Sequence, residues 1–245
     1  MPFFRALTLG GTYELVDCVP SEFGVKAAAG EIVAGPLPLV DYLRLDATFE
    51  RLARFGIAVR GRGHSAILFS RRPIRQLDGA TIAITEETST TFCLLRLLLE
   101  VRYRLNPASY RRGASQDAEA LLLIGDEALR FRQANTQYPF EIDVAFEWWL
   151  WQHLPFVFAV WAIRKDASEQ VKKDLELGVS RSLGISSQQF NRIAQEYSKT
   201  LGTADAVLSR YLSSFVYRLS QSEEQGIMRF KALLEQITEV SIEYL

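Results

Sequence analysis

The apolar positions of this chain change period along its length. Residues 12–20, TYELVDCVP, alternate as a half-buried strand does, and Ser21 then caps a short helix that stops at Gly30. EIVAGPLPLVDYLRL reads as a brief strand, a Gly35-Pro36 turn and a helix opened by that turn. GIAVRG and SAILFS are β-rich runs separated by the turn RGRGH. ATIAIT is a strand, and residues 88–104 form a helix with Leu94, Leu95, Leu98 and Leu99 on one face. Asn106-Pro107 ends it, because the residue before a proline avoids the helical region. EALLLIG is apolar throughout, as strands buried in a parallel sheet are. DEALRF starts a helix at its end, DVAFEWWLWQ is helical, and LPFVFAVWAI is another buried strand. Beyond Arg164 a helical period takes over, over residues 167–183, 186–200, 204–218 and 223–239, joined by Gly or Ser turns.

Strands alternating with helices up to about residue 164 predict an α/β fold, with the helical tail packed back on the first part of the chain. SAILFS and LPFVFAVW bracket the central α/β segment. If both pass between lobes, the chain crosses twice and makes a two-lobed clamshell. Residues 1–70 with 165–245 then form one lobe and residues 71–164 the other. Small ligands sit in such clefts, beside strand ends and helix N-termini.

Composition narrows the class. With 245 residues, 48% of them hydrophobic, the chain has ample material for a core. A net charge of -1 with scattered Lys and Arg argues against a nucleic-acid partner, which needs a basic face. Cys18 and Cys93 belong to no CxxC pair, so no zinc or redox motif exists and both read as buried free thiols. The start MPFFRALTLGGTYELVD lacks the basic and apolar regions of a signal peptide. LPFVFAVWAI is far short of the roughly 20 residues that span a bilayer. The expectation is a soluble cytoplasmic protein with no membrane partner and no cofactor or metal, its oligomeric state left open by the sequence.

Chemistry concentrates at the strand-to-helix junctions. Between Ile84 and Phe92 lie seven polar residues, five of them hydroxylated: Thr85, Thr88, Ser89, Thr90 and Thr91. A helix start offers free N–H groups and a partial positive charge, so hydroxyls there suit a carboxylate or phosphate. Plain N-capping by Thr88 or Ser89 is the alternative, although a cap needs only one hydroxyl. Glu86 and Glu87 are expected to point to solvent. Gly125-Asp126 forms a second junction, where Asp126 caps the next helix or faces the cleft. Gly35-Pro36 forms a third, and Ser65 stands at the start of a crossing strand. Acids and bases are scarce. His153 sits in an aromatic segment and reads as structural, His64 adjoins Ser65 and either reaches the cleft or does not, and Trp148, Trp149, Trp151 and Trp161 read as packing. No HExxH, GxSxG, phosphate loop or Ser/His/Asp order appears.

SAILFSRRPIRQLDG, AITEETSTTFCLLRLLLE, LLLIGDEAL and LPFVFAVWAIR, in this order and spacing, resemble the chorismate dehydratase family of the futalosine route to menaquinone. VPSEFGVKAAAGEIVAGPLPLVDYLR resembles that family's helix, turn and Gly-Pro-initiated helix, so the resemblance covers nearly the whole chain. It implies a type II periplasmic-binding-protein clamshell acting as a hydro-lyase on chorismate, with substrate carboxylates held by Thr88, Ser89, Thr90 and Thr91. It also implies that Ser65 is the catalytic cleft serine and that Gly125, Asp126, Gly35 and Pro36 line the substrate site. The substrate's own enolpyruvyl carboxylate is then available as the base. A sister enzyme making 1,4-dihydroxy-6-naphthoate carries a His-Glu pair where this chain has Gly125-Asp126, which favours the dehydratase. A non-catalytic binding protein for a small carboxylate is the other alternative.

The chain departs from the family at three places. GRGHS brings Arg62 and His64 beside the serine, and Gln152-His153 replaces the family's Thr-Gly before LPFVF. Family members open with a strand and a Tyr-Leu-Asn-x-x-Pro turn whose Asn enters the site, and MPFF begins just after that Asn. The expectation from this departure is a gene encoding about ten to fifteen further residues before Met1, and a longer product that is more stable and more active.

Overall fold

The computed structural model describes residues 2–8, 13–86, 88–113 and 118–237. Helix α1 spans Pro20–Ala28, β1 Ala34–Pro38, α2 Leu39–Arg44, β2 Phe49–Val59, β3 Ala66–Ser70, β4 Thr81–Ile84 and α3 Thr90–Arg96. They are followed by β5 Ser109–Arg112, β6 Ala120–Ile124, α4 Gly125–Ala134, β7 Phe140–Asp143, α5 Val144–Gln152 and β8 Phe156–Arg164. The last part holds α6 Glu169–Ser187, α7 Phe190–Leu201, α8 Asp205–Ser214, β9 Phe215–Arg218 and α9 Gln221–Leu234.

These strands make two sheets, one ordered β1–β8–β2–β9 and the other β5–β4–β6–β3–β7. In the first, every pairing is antiparallel. In the second, β4 runs parallel to β5 and β6, while β3 runs antiparallel to β6 and β7. The apolar run of β6 is therefore buried in a mixed sheet rather than a parallel one. The chain leaves the first sheet after Val59, enters the second at Ala66, and returns to the first at Phe156. That double crossing is the two-lobed α/β clamshell.

A core containing Leu39, Val59, Leu68, Leu94, Trp148, Phe156 and Phe230 draws side chains from both sheets. Part of the C-terminal segment packs on the first sheet. Leu175, Val179 and Leu183 of α6 pack with Phe3, Leu52, Phe55 and Trp161, and β9 extends the first sheet. Helix α9 inserts Ile227, Phe230 and Leu233 into the shared core. Among the described residues, no helix is long and apolar enough to cross a membrane.

Several expectations need correction. Residues 13–19 are coil, with Tyr13, Leu15 and Val16 exposed; residue 12 of the expected strand lies outside the described residues. Alternation alone makes no strand without a ladder partner. Edge strand β1 is poor in donors because Pro36 and Pro38 carry no N–H, which edge strands tolerate. Pro20 rather than Ser21 opens α1, at the first helical turn where a missing N–H costs nothing. Gly35-Pro36 lies inside β1 and does not open a helix; α2 begins at Leu39. A Cβ on Gly35 would sit 2.6 Å from the Phe23 ring of α1, so glycine there permits the helix to pack on the strand. The helix expected over residues 88–104 starts at Thr90 and widens into a π-helical turn over Leu97–Arg102. The helix expected over 204–218 ends at Ser214, and Phe215–Arg218 is strand β9. Cys93 is buried, but Cys18 only partly so.

Candidate functional site

The strand-to-helix junctions of the second sheet fall on one rim. Ser65 precedes β3, whose first residue Ala66 stands opposite Ile124, the last of β6. Gly125 follows Ile124 and donates its N–H to the Ser65 carbonyl at 2.7 Å. Gly125 has φ of +56°, which lets the chain turn from β6 straight into α4 without a Cβ penalty. Ile84 of β4 pairs with Leu122, and Thr85 N–H bonds the Leu122 carbonyl, so the hydroxyl turn emerges beside the same junction. Asp143 ends β7 opposite Ile67. The rim thus gathers Ser65, Thr88, Ser89, Thr90, Thr91, Gly125 and Asp126, with the N-termini of α3 and α4 pointing at it. It does not gather Gly35 and Pro36. They lie in β1 of the other sheet, and the residues that reach the rim from that side are Val40 and Asp41 at the start of α2.

The hydroxyls are buried and engaged. Thr88, Ser89, Thr90 and Thr91 are each no more than 5% exposed. Thr88 Oγ1 accepts the Thr91 N–H at 3.2 Å, which is a cap of the α3 N-terminus. Thr90 Oγ1 accepts the Val40 N–H at 3.1 Å, and Ser89 Oγ donates to Asp41 Oδ2 at 2.8 Å. Both bonds join the two lobes. Burial raises the Asp41 pKa above the ordinary carboxylate value, opposed by the Ser89 hydroxyl and by Arg44 at 3.8 Å. Thr85 Oγ1 donates to Glu127 Oε2 at 3.0 Å, so a second carboxylate of the protein sits on the same turn. Glu86 is exposed, as expected, and Glu87 lies outside the described residues.

Ser65 is buried, and its Oγ donates to the phenol oxygen of Tyr211 on α8 at 2.9 Å. Asp126 is exposed and faces Arg130 at 4.0 Å, one helical turn on. Its charge nevertheless reaches the Tyr211 phenol. The loop before Ser65 is tied down by Asp143. One oxygen, Oδ2, accepts the N–H groups of Gly63 at 3.0 Å and His64 at 2.9 Å, and Oδ1 caps α5 through Phe146 N–H at 3.0 Å. One carboxylate thereby fastens the first chain crossing to the start of α5. His64 has φ of +63°, and burial lowers its imidazole pKa against the opposing pull of Asp143. It is a neutral group at pH 7 rather than a cation. His153 is exposed and caps the end of α5 with φ of +55°. Trp148 and Trp161 are buried in the core, while Trp149 and Trp151 are partly buried.

Asp41, Glu127, Asp143 and Tyr211 are the site groups that reading the sequence missed. An acid inside the apolar run PLPLVDYL was a signal for Asp41, since an acid there must be buried with a partner. Tyr211 carried no such signal.

Two sheets joined by a double crossing, with helix N-termini and hydroxyls at the junction, define a two-lobed protein of the periplasmic-binding-protein type. Solved structures agree. Protein AF1704 from Archaeoglobus fulgidus superposes with a TM-score of 0.75 at 18% identity, covering 96% of this chain and 92% of that one. The aliphatic sulphonate binding protein SsuA from Escherichia coli gives 0.58 at 12% identity, covering 89% and 79%. Within that class, the chain belongs to the menaquinone biosynthesis family, whose model matches residues 1–236. Among curated proteins, the chorismate dehydratase of Thermus thermophilus is 29% identical over 251 aligned residues, covering 95% of this chain and 90% of that protein.

Proposed function

We propose that this protein is a hydro-lyase that dehydrates chorismate to 3-[(1-carboxyvinyl)oxy]benzoate as a step of menaquinone biosynthesis. One observation carries the reading: the hydroxyl turn already holds a carboxylate, that of Asp41, in a buried bond between the lobes. A turn that coordinates one carboxylate between closed lobes is suited to coordinate a substrate's. Likeness to a chorismate dehydratase supplies the substrate. As a biosynthetic enzyme of this kind, the protein is assigned to the cytoplasm.

In this reading the lobes are the two sheets with the helices packed on them, and the boundaries expected at residues 70 and 164 move to the crossings after Val59 and before Phe156, because β3 lies in the second sheet and β8 in the first. Chorismate enters when they part, and its carboxylate replaces that of Asp41 on Ser89, supported by Thr88, Thr90, Thr91 and the α3 N-terminus. Gly125 and Asp126 line the opposite side, and Gly35 and Pro36 act through the α2 start that follows them. Ser65 is the catalytic serine at the reacting ring. The reaction breaks the ring C–O bond and a neighbouring ring C–H bond, and hydroxyl and proton leave as water. Aromatisation drives it. The substrate's enolpyruvyl carboxylate takes the proton, so the protein needs no strong base. Its task is to orient a dianion and exclude water, which preorganised hydroxyls and helix termini do.

Calorimetry with chorismate tests this site. Wild-type protein binds, and Ser89→Ala/Thr90→Ala binds about 1–3 kcal/mol more weakly, the scale of lost hydrogen bonds to a charged group. Equal affinity would reduce the turn to an interlobe fastening. Binding without product would point to a carboxylate-binding protein.

A further inference from the structure

We propose that Tyr211, from the C-terminal helical segment, is a positioning residue for Ser65, holding the serine hydroxyl in the orientation turnover needs. This rests on the reading above that the rim is the reacting site.

The main chain at Ser65 is fixed by its carbonyl, which accepts Gly125 N–H, and by the Asp143 clamp one and two residues earlier. The side chain is a separate matter. A serine Oγ can occupy three staggered positions about χ1, and sterics discriminate weakly among them for so small a group. A single bond to a fixed oxygen selects one. The 2.9 Å contact with Tyr211 Oη is that bond.

Tyr211 is itself held from both lobes. It packs in a cluster with Leu129 of α4, Ala194 and Leu201 of α7 and Leu208 of its own helix. Phe215, one turn on and the first residue of β9 in the other sheet, meets its ring edge-on at 5.1 Å. The residue as a whole keeps some exposure, but burial of its phenol pushes the pKa up to about 12, so it stays a neutral hydroxyl. With Ser65 donating to Tyr211, the phenol oxygen has Ser65 as its one side-chain hydrogen-bond partner among the described residues.

The tests use the full chain. Tyr211→Phe keeps the ring and removes the oxygen. It is expected to lower kcat about 10- to 100-fold, the cost of a misplaced reacting group, with KM changed little and the thermal midpoint within a few degrees. The double variant Ser65→Ala/Tyr211→Phe is expected to be no slower than Ser65→Ala alone, because both remove one unit. Additive losses, or full activity in Tyr211→Phe, would overturn the proposal. A second readout does not depend on turnover. With tyrosine labelled at the carbon bearing the hydroxyl, the NMR signal absent from Tyr211→Phe is that of Tyr211. Ser65→Ala should shift it, and an unmoved signal would show that the contact does not form. Absence of chorismate turnover in the wild type would defeat the proposed function, while this spectrum still decides the contact.

Discussion

Replacing Ser89 by Ala removes the hydroxyl donor to a buried carboxylate and nothing else of comparable weight. Asp41 is 6% exposed, and after the change Arg44 at 3.8 Å is the ion-pair partner that remains among the described residues. A hydrogen bond to an ionised group contributes about 1.5–3 kcal/mol, and one to a neutral group about 0.5–1.5. For a domain of this size each kcal/mol moves the thermal midpoint by about 2–4 °C, so the loss at about pH 8 is on the order of 3–12 °C. The pH dependence follows from Asp41. Burial raises its folded pKa above the unfolded value, so the stability associated with its protonated form is fully present below the unfolded value and is lost as pH rises through the folded one. At about pH 4.5 the group is partly protonated, the serine bond is closer to a neutral one, and the gap between wild type and variant narrows. Differential scanning fluorimetry at the two pH values measures it. A gap of equal size at both, or one that widens in acid, would show that no ionised Asp41 rests on this hydroxyl.

Asp143→Ala strips the acceptor from two N–H groups at the first crossing and one at the start of α5, and is expected to cost about 2–4 kcal/mol by chemical denaturation, with Asn restoring part of it. Glu223 is fully buried; burial by itself would raise its pKa, but Arg60 and the Ser220 hydroxyl and N–H overcome this and hold it down to about 2. Its folded value lies below the unfolded one, so its stabilisation is present above about pH 4.5 and is lost as pH falls toward about 2. Glu223→Gln should therefore melt below the wild type at neutral pH, by about 1–2 kcal/mol because Arg60 is half exposed, with the gap closing in acid; a constant gap would contradict this.

The α/β order was legible because β6 is apolar throughout, β3 and β8 are apolar up to their last residues, and the helices between them keep their own period. Residues 13–19 misled because alternation reports what a segment would bury, not whether a ladder waits for it. Strands β5, β7 and β9 are four residues each, too short for a period to register, and β9 hid at the end of a helical run. The site divides in the same way. Ser65, the hydroxyl turn and Gly125 could be read because each is a local junction between elements. The partners of these groups could not, because Asp41 is 48 residues from Ser89 and Tyr211 is 146 from Ser65. Only the fold brings them together.

In the proposed function, lobes closing on a hydroxyl-lined rim make chorismate lose water. Incubating the purified protein with chorismate and following the products by mass spectrometry tests it most directly, with Ser65→Ala beside the wild type. The expected result is an aromatic product lighter than chorismate by one water, formed by the wild type and formed far more slowly by Ser65→Ala, whose thermal midpoint stays within a few degrees. Chorismate recovered unchanged from the wild type, or equal turnover by both proteins, would contradict it.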